Sequence, residues 1–228
     1  MEQKQKVGAV IAAAGSSQRM GGVDKMFALL DGKPVLAHVI AVFERCTAID
    51  QIIVVLGEPN LERGKRLAAE AGWPKVSEVC RGGERRQDSV LNGLNRLKDC
   101  QWAVIHDGAR PLVTEDLILR GLEAARETGS AIAAVPVIDT IKVAGEDMIV
   151  QGTPPRRSLW AVQTPQVFRF DIISEAYRQA RYEVTDDAAL VERAGRKVKL
   201  YMGSYDNIKI TTSDDLAIAE LLLRKHGK

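Results

Sequence analysis

The stretch VGAVIAAAGSSQRMGGVDK, from Val7 to Lys25, decides the fold class. Its first half is a continuous run of small and aliphatic residues, which is typical of a strand buried in a parallel sheet. The run then changes abruptly to Gly, Ser, Arg and Lys. Small residues at the end of a strand let backbone N–H groups approach a ligand closely. The stretch therefore predicts a first strand that delivers a loop to an anionic ligand.

This loop matches neither of two common phosphate-binding patterns. The P-loop sequence G-x-x-x-x-G-K-[ST] does not occur, and Gly15-Ser16-Ser17 lacks the second glycine of the dinucleotide fingerprint. A plain NAD-binding domain is therefore disfavoured. The loop by itself indicates a polyphosphate ligand, with an ordinary exposed Gly/Ser loop as the alternative.

Apolar runs alternate with amphipathic stretches along most of the chain, which predicts right-handed βαβ units and a mainly parallel, twisted sheet. The predicted strands are Val7–Ala13, Gln51–Leu56, Val76–Cys80, Trp102–His106, Ala131–Val137, Leu159–Val167, Lys197–Tyr201 and Asn207–Thr211. The predicted helices are Pro34–Arg45, Leu61–Ala71, Ser89–Leu97, Glu115 to about Glu127, Asp171–Gln179, Asp186–Ala194 and Ser213–Lys225. The predicted N-caps are Ser89 or Asp88, Thr114 and Thr185. In such sheets, ligands bind beyond the carboxyl ends of the strands.

Composition limits the possible partners. The chain has 228 residues, 46% of them hydrophobic, and we expect residues 1–228 to form a single domain. Its net charge of +2 gives no reason to expect nucleic acid or an anionic membrane as the main partner. No apolar run approaches the roughly 18 residues of a membrane span. The three scattered cysteines indicate reduced thiols and a cytoplasmic protein.

One segment, residues 139–155, interrupts the alternation with two short β-like pieces around a Gly-Glu-Asp turn. It has too little apolar surface to form another βα layer, so we interpret it as a β-hairpin arm that leaves the body. An isolated two-stranded arm is marginally stable in water. Packing on a second subunit would stabilise it, which predicts a homodimer. The alternative is a flap folded onto its own domain.

Three further clusters carry candidate functional residues. Arg81–Ser89 and His106–Pro111 each follow a predicted strand, so they should lie at the same sheet edge as the first loop. Asp107 stands where α/β folds place a metal-binding carboxylate, with a turn cap as the alternative. Lys209 is a lone cation within the short apolar piece that ends at Thr211, which suggests that it faces an anion.

Together these clusters predict a site for a nucleoside triphosphate with Mg²⁺. Glycines, separate cations and one carboxylate are the groups that such a ligand needs. No Cys or Ser nucleophile with a neighbouring base is evident. The pattern therefore favours direct attack on phosphorus by an oxygen of the second substrate.

The motifs AAAGSSQRMGGVDK, RGGERRQDS, HDGARP, DTIK, TPQ, TDDAA and DNIKIT resemble, in order, those of the 2-C-methyl-D-erythritol 4-phosphate cytidylyltransferase family. The resemblance extends from about Val7 to Leu223. It implies a Rossmann-like fold with helices on both faces, a dimer formed through the arm, and transfer of CMP from CTP to a polyol phosphate with release of pyrophosphate. It also implies Mg²⁺ as cofactor.

The resemblance assigns residue roles. Catalytic cations are Arg19, Lys25 and Lys209. Residues around the nucleotide are Ala13, Ala14, Gly15, Gly83, Ser89, Asp107 and Gly108, and Asp107 also binds the metal. Residues for the acceptor are Arg110, Thr140, Arg156 and Thr185, of which the arm residues reach the neighbouring subunit's site. Arg157 is the alternative to Arg156.

The chain departs from the family pattern at Asp24-Lys25-Met26-Phe27, where many members have Pro-Lys-Gln and an aromatic residue, and at Gly108, where many have Ala. The nearest alternative function is a cytidylyltransferase for another polyol phosphate, such as ribitol 5-phosphate. A sugar-1-phosphate nucleotidylyltransferase and a non-catalytic nucleotide sensor are more remote alternatives.

Overall fold

A computed structural model describes residues 5–15, 24–181 and 183–225. Within them the chain forms a seven-stranded sheet and two small two-stranded sheets. The strands are β1 (Val7–Ala13), β2 (Leu29–Leu30), β3 (Lys33–Pro34), β4 (Gln51–Leu56), β5 (Val76–Arg81), β6 (Trp102–Asp107), β7 (Ser130–Pro136), β8 (Val143–Ala144), β9 (Val150–Gly152), β10 (Trp160–Arg169) and β11 (Lys199–Met202). The helices are α1 (Val35–Arg45), α2 (Leu61–Ala71), α3 (Arg86–Leu94), α4 (Glu115–Thr128), α5 (Phe170–Gln179), α6 (Asp187–Arg193) and α7 (Ser213–Lys225).

The main sheet has the order β11-β7-β10-β6-β1-β4-β5. Its strands run parallel except β10, which is antiparallel to both β6 and β7. The predicted mainly parallel sheet with helices on both faces is therefore confirmed. The strand β1 lies between β4 and β6, so the loop that follows it leaves from the middle of the carboxyl edge.

Side chains of the central strands alternate between two cores. Ala9 and Ile11 of β1 belong to the core under α1 and α4, whereas Val10 faces the core under α3, α5 and α6. Both faces of β1 are thus buried, which explains its lack of polar residues. Gly93 lets α3 approach β1 closely, because a Cβ at this position would lie 2.4 Å from Cγ1 of Val10.

The predicted arm is a hairpin formed by the antiparallel strands β8 and β9. It leaves the body after β7, and the chain returns as β10. Its apolar side chains are largely exposed: Met148 is 83% exposed, Ile138 65% and Ile149 64%. The arm is therefore not a flap that buries its apolar side chains within this subunit.

Local structure departs from the predictions at three places. Asn207–Thr211 is not a strand of the sheet but a segment without regular secondary structure outside it. The helix α3 begins at Arg86 with Arg85 as its N-cap, so Ser89 lies within the helix rather than at its cap. Asp186 caps α6 in place of Thr185, because its carboxylate accepts a hydrogen bond from Ala189 N.

Three other predictions are confirmed: the Thr114 cap, the end of α2 and the free cysteines. Thr114 caps α4 by accepting a hydrogen bond from Leu117 N, and α2 ends before Gly72, which has a positive φ of 63°. The cysteines Cys46, Cys80 and Cys100 are free and buried. Within the described ranges, no helix has the length and apolar character needed to cross a membrane.

Candidate active site

A cavity of about 420 Å³ opens at the carboxyl edge of the sheet, where β1, β5 and β6 end. Its described lining residues are Ala12, Ala13, Ala14, Gly15, Lys25, Met26, Gly83, Glu84, Arg85, Arg86, Ser89, Asp107, Ala109, Lys209 and Thr211. They come from the loop after β1, from the clusters Arg81–Ser89 and His106–Pro111, and from the segment that carries Lys209. The parallel topology brings these strand ends together, as predicted.

Asp107, the last residue of β6, is the centre of a cluster of charges. Its Oδ2 accepts a hydrogen bond from Lys209 Nζ at 2.7 Å, and its Oδ1 accepts one from Arg86 Nε at 3.1 Å. Arg110 Nε lies 3.9 Å from the same carboxylate. One buried carboxylate therefore organises three cations around the cavity wall.

The charges around Asp107 determine its protonation. Burial would raise the pKa of this carboxyl, but Arg86, Lys209 and Arg110 together hold the pKa well below its usual range. The pKa of Arg86 is shifted upward because Asp187 and Asp107 outweigh the effect of its burial. Both shifts favour the charged forms of Asp107 and Arg86.

The segment that carries Lys209 is fixed by side chains rather than by a sheet. Buried Asn207 donates from Nδ2 to the carbonyl oxygen of Thr164 at 2.8 Å, and Arg110 Nη1 donates to the carbonyl oxygen of Asn207 at 2.7 Å. On the other side of Lys209, Ile210 N donates to the carbonyl oxygen of Ala109 at 2.8 Å. Lys209 is therefore held on both sides, by contacts with the middle of β10 at Thr164 and with the turn that follows β6 at Ala109.

His106 has a structural role next to this cluster. The hydroxyl of Thr164 accepts a hydrogen bond from Asp107 N and lies 3.0 Å from His106 Nδ1, to which it can donate its proton. Nε2 of His106 then donates to the carbonyl oxygen of Arg110 at 3.2 Å. Burial lowers the pKa of His106 to about 4, which agrees with this neutral ring. The imidazole therefore holds the backbone around Asp107.

The glycine-rich second motif forms a rigid corner of the cavity. Arg85 and Asp88 form a two-point ion pair, with Nε–Oδ2 at 2.9 Å and Nη2–Oδ1 at 2.7 Å. The hydroxyl of Ser89 accepts a hydrogen bond from Gly83 N and donates to the carbonyl oxygen of Arg85. A Cβ on Gly82 would lie 2.4 Å from Cβ of Ala14, so only glycine allows the two loops to meet.

A second cavity, of about 310 Å³, adjoins the first. Its described lining residues are Arg86, Asp107, Arg110, Val162, Gln163, Thr164, Gln166, Thr185, Asp186 and Lys209. Arg86, Asp107 and Lys209 line both cavities. The charge cluster thus forms a wall that the two cavities share, and a ligand in either cavity would lie beside it.

The structure brings most of the predicted site residues together. Those that line the first cavity are Ala13, Ala14, Gly15, Lys25, Gly83, Ser89, Asp107 and Lys209, and those that line the second are Arg110 and Thr185. Gly108 packs behind the wall, where a Cβ would lie 2.8 Å from that of Ala13. Thr140 and Arg156 are exposed on and beside the arm, away from both of these cavities. Arg19 lies outside the described residues.

Arg86, Thr164 and Asn207 were not predicted from the sequence. The motif RGGERRQDS contains Arg81, Arg85 and Arg86, and its letters do not distinguish them. In the structure, Arg81 pairs with Glu58 and Arg85 with Asp88, whereas Arg86 points toward Asp107. Only the packing of α3 against the sheet selects Arg86.

The residues present fit Mg²⁺ as an ion shared with a ligand. No group of three or more His, Cys, Asp or Glu side chains that could hold a metal occurs among the described residues. Mg²⁺ commonly takes one or two protein carboxylates and completes its coordination with substrate phosphates and water. The Asp107 carboxylate at the cavity wall fits the role of such a single protein ligand.

The fold and the cavity define a Rossmann-like α/β protein with a cation-lined site at the carboxyl edge of its sheet, an arrangement suited to phosphorylated ligands. The model of the family described as 2-C-methyl-D-erythritol 4-phosphate cytidylyltransferase (IspD) matches residues 7–225. The chain belongs to this family.

Individual relatives agree with this family over nearly their whole length. The protein called 2-C-methyl-D-erythritol 4-phosphate cytidylyltransferase in Dehalococcoides mccartyi is 55% identical over 221 residues, which cover 97% of each chain. The protein of the same name in Alkaliphilus oremlandii is 46% identical, with full coverage of both chains. The crystal structure of 4-diphosphocytidyl-2C-methyl-D-erythritol synthase from Anaerococcus prevotii superposes with a TM-score of 0.86 at 31% identity and covers 97% of each chain.

Proposed function

We propose that the chain transfers the cytidylyl group from CTP to 2-C-methyl-D-erythritol 4-phosphate and releases pyrophosphate. The observation that carries this proposal is the wall of Arg86, Asp107 and Lys209, which two adjoining cavities share. A group transfer between two anionic substrates needs such an arrangement, with cations between the two binding sites. The names of the relatives supply the identity of the substrates.

The first cavity is proposed to hold CTP. Ala13, Ala14 and Gly15 offer small side chains and backbone groups at its floor, and Gly83 and Ser89 form the corner that we assign to the cytosine. The glycine-rich loop gives a ligand close access to the backbone. We expect the triphosphate to extend toward Lys25 and Lys209, and Arg19, which lies outside the described residues, remains a proposed phosphate ligand.

In the proposed reaction, a phosphate oxygen of the acceptor attacks the α-phosphorus of CTP. A new P–O bond forms, the bond between the α-phosphorus and the bridging oxygen breaks, and pyrophosphate leaves with the electron pair. The attacking phosphate monoester is already anionic near pH 7, so no general base is required. The obstacle is the repulsion between two anions and the charge that develops on the α-phosphate oxygens.

Preorganised cations reduce this obstacle. Lys25 and Lys209 line the cavity, and Asp107 holds Lys209 in place before a ligand arrives. We expect the Lys209 ammonium to turn from Asp107 toward the α-phosphate when CTP binds. Asp107 would also hold Mg²⁺, which supplies further positive charge beside the phosphates when it is bound.

The second cavity is proposed to hold the acceptor. Arg110 and Thr185 line it, and its position places a bound phosphate next to the shared wall. Thr140 and Arg156 would complete it from the arm of a neighbouring subunit, since they lie outside both cavities of their own chain. Arg157 is adjacent to Arg156 and remains the alternative for this contact.

We also propose that the arm forms a homodimer. The exposed apolar residues of the arm, among them Met148, Ile149 and Val150, would be buried by packing on a second subunit. The three buried free thiols support a cytoplasmic location, where thiols stay reduced.

A pyrophosphate-release assay tests the proposed function. The enzyme is given CTP with 2-C-methyl-D-erythritol 4-phosphate, ribitol 5-phosphate or erythritol 4-phosphate, and each acceptor is also tested with UTP and dTTP. We expect turnover with CTP and the methylerythritol acceptor to exceed all other pairs. Preference for ribitol 5-phosphate would support the second candidate, and CTP binding without pyrophosphate release from any pair would indicate a nucleotide sensor.

A further inference from the structure

Arg86 contacts a buried, hydrogen-bonded pair, Asp187 and Tyr177, and neither residue of this pair lines the two cavities. Its Nη2 lies 2.8 Å from Oδ2 of Asp187, the first residue of α6. The other carboxylate oxygen of Asp187 accepts a hydrogen bond from the hydroxyl of Tyr177 at 2.6 Å. Asp187 is 1% exposed, so its carboxylate is shielded from water.

The guanidinium of Arg86 therefore joins two carboxylates on different layers of the fold. Asp107 is at the end of β6, while Asp187 and Tyr177 belong to α6 and α5 on one face of the sheet. A planar guanidinium can donate to both at once, whereas an ammonium group cannot reproduce this fork. The contact connects the wall of both cavities to the helical layer that carries Thr185 and Asp186.

We infer that Arg86, Asp187 and Tyr177 form a positioning unit that keeps the Asp107 carboxylate in place when Lys209 leaves it for the nucleotide. This inference rests on the proposed function. While Lys209 pairs with a phosphate, Asp107 depends on a cation of the protein that stays in place whether or not Mg²⁺ is bound, because an uncompensated buried carboxylate is costly. Arg86 supplies that cation without moving, since its ion pair with Asp187 holds the guanidinium in place.

Together, kcat and the free energy of unfolding distinguish a positioning role of this unit from a purely structural one. If the unit only stabilises the fold, its loss lowers the free energy of unfolding and leaves kcat at saturating substrates unchanged. If it positions Asp107 and Lys209, its loss lowers kcat, because small displacements in a reacting site are expensive. Asp187 is informative here, since it touches neither cavity.

The test compares steady-state pyrophosphate release, CTP affinity by calorimetry and urea unfolding in Arg86→Lys, Asp187→Asn and Tyr177→Phe. We expect Arg86→Lys and Asp187→Asn to lower kcat by about tenfold or more and to weaken CTP binding, with a smaller effect in Tyr177→Phe. In Arg86→Ala, added guanidinium ion should restore part of the activity, and sodium ion at the same concentration should not. Glu78→Gln is the matched control, because it removes the carboxylate partner of Arg96 on the surface and should retain the wild-type kcat.

Wild-type kcat and CTP affinity in both Arg86→Lys and Asp187→Asn would overturn the inference, even if both proteins were less stable. A loss confined to Arg86→Lys would also overturn it, since Arg86 would then act without its anchor. If Asp187→Asn does not fold, Tyr177→Phe replaces it under the same criterion. A wild-type protein that releases no pyrophosphate would instead refute the proposed function, and CTP affinity would then decide whether the unit positions the site.

Discussion

The carboxylate of Asp107 accepts a hydrogen bond from Lys209 Nζ at 2.7 Å, although 102 residues separate the two in the sequence. The contact joins the end of a central strand to a segment outside the sheet. It holds a cation at the wall of the cavity while keeping its charge balanced. The Lys209 ammonium group can exchange Asp107 for the phosphate of an incoming ligand. This exchange requires no large conformational change.

The first prediction concerns the cations of the cavity. Lys209→Ala and Lys25→Ala should each reduce kcat by roughly a hundredfold, or about 3 kcal/mol, because each removes one preorganised contact to the developing charge. Pyrophosphate release measures this effect, and circular dichroism should show an unchanged fold. The control is Lys65→Ala, which removes a lysine paired with Glu62 on the exposed face of α2. A folded Lys209→Ala protein with near-normal turnover would refute the role of Lys209.

The second prediction concerns the arm as part of a neighbouring site. Arg156→Ala should mainly raise the KM for the acceptor and leave the KM for CTP nearly unchanged, because Arg156 lies outside the first cavity. At an acceptor concentration too low to saturate Arg156→Ala, mixing Lys209→Ala and Arg156→Ala subunits should restore part of the activity, since some mixed dimers contain one intact site. Activity that stays at the level of the separate mutants would show that Arg156 does not act across subunits.

The third prediction concerns the dimer itself. Met148→Asp combined with Ile149→Asp should weaken dimerisation, because each places a charge where we expect an apolar contact. Sedimentation velocity at several protein concentrations measures the shift toward monomer. Leu221→Asp on α7 is a suitable control, since Leu221 is also an exposed apolar residue but lies away from the arm. An unchanged dimer in the double variant would exclude the arm tip from the interface.

The fourth prediction concerns pH. The pKa of buried His106 is lowered from 6.5 to about 4, so the unfolded state binds a proton that the folded state excludes between these values. The resulting stability is present above about pH 6.5 and is lost as pH falls toward about 4, with a total of about 3 kcal/mol.

Urea unfolding of the wild type and of His106→Asn at pH 7.5 and pH 4.5 tests this prediction. The variant should be less stable at pH 7.5, and the difference should narrow at pH 4.5, which is above the ordinary aspartate pKa of 3.8. Parallel losses of stability in the two proteins would assign the pH dependence to other groups.

The sequence by itself determined the layered fold and the edge of the sheet on which the site lies. Alternating apolar and amphipathic segments encode βαβ units, and parallel strands necessarily direct the residues after β1, β5 and β6 to one edge. For the same reason Lys25, Ser89 and Asp107 could be predicted at a common site. Local signals also sufficed for the Thr114 cap and for the arm.

Only the tertiary structure decided which charged residues meet. Arg81, Arg85 and Arg86 are equivalent as letters, yet the structure gives each a different partner: Arg85 pairs locally with Asp88, whereas Arg81 and Arg86 reach carboxylates far away in the sequence. The sequence predicted a strand for the segment that carries Lys209. In the structure, the hydrogen bond from Asn207 to Thr164 holds this segment instead. Such choices depend on pairs far apart in sequence whose energies are set by burial and geometry, and these quantities exist only once the sheet and its helices have packed together.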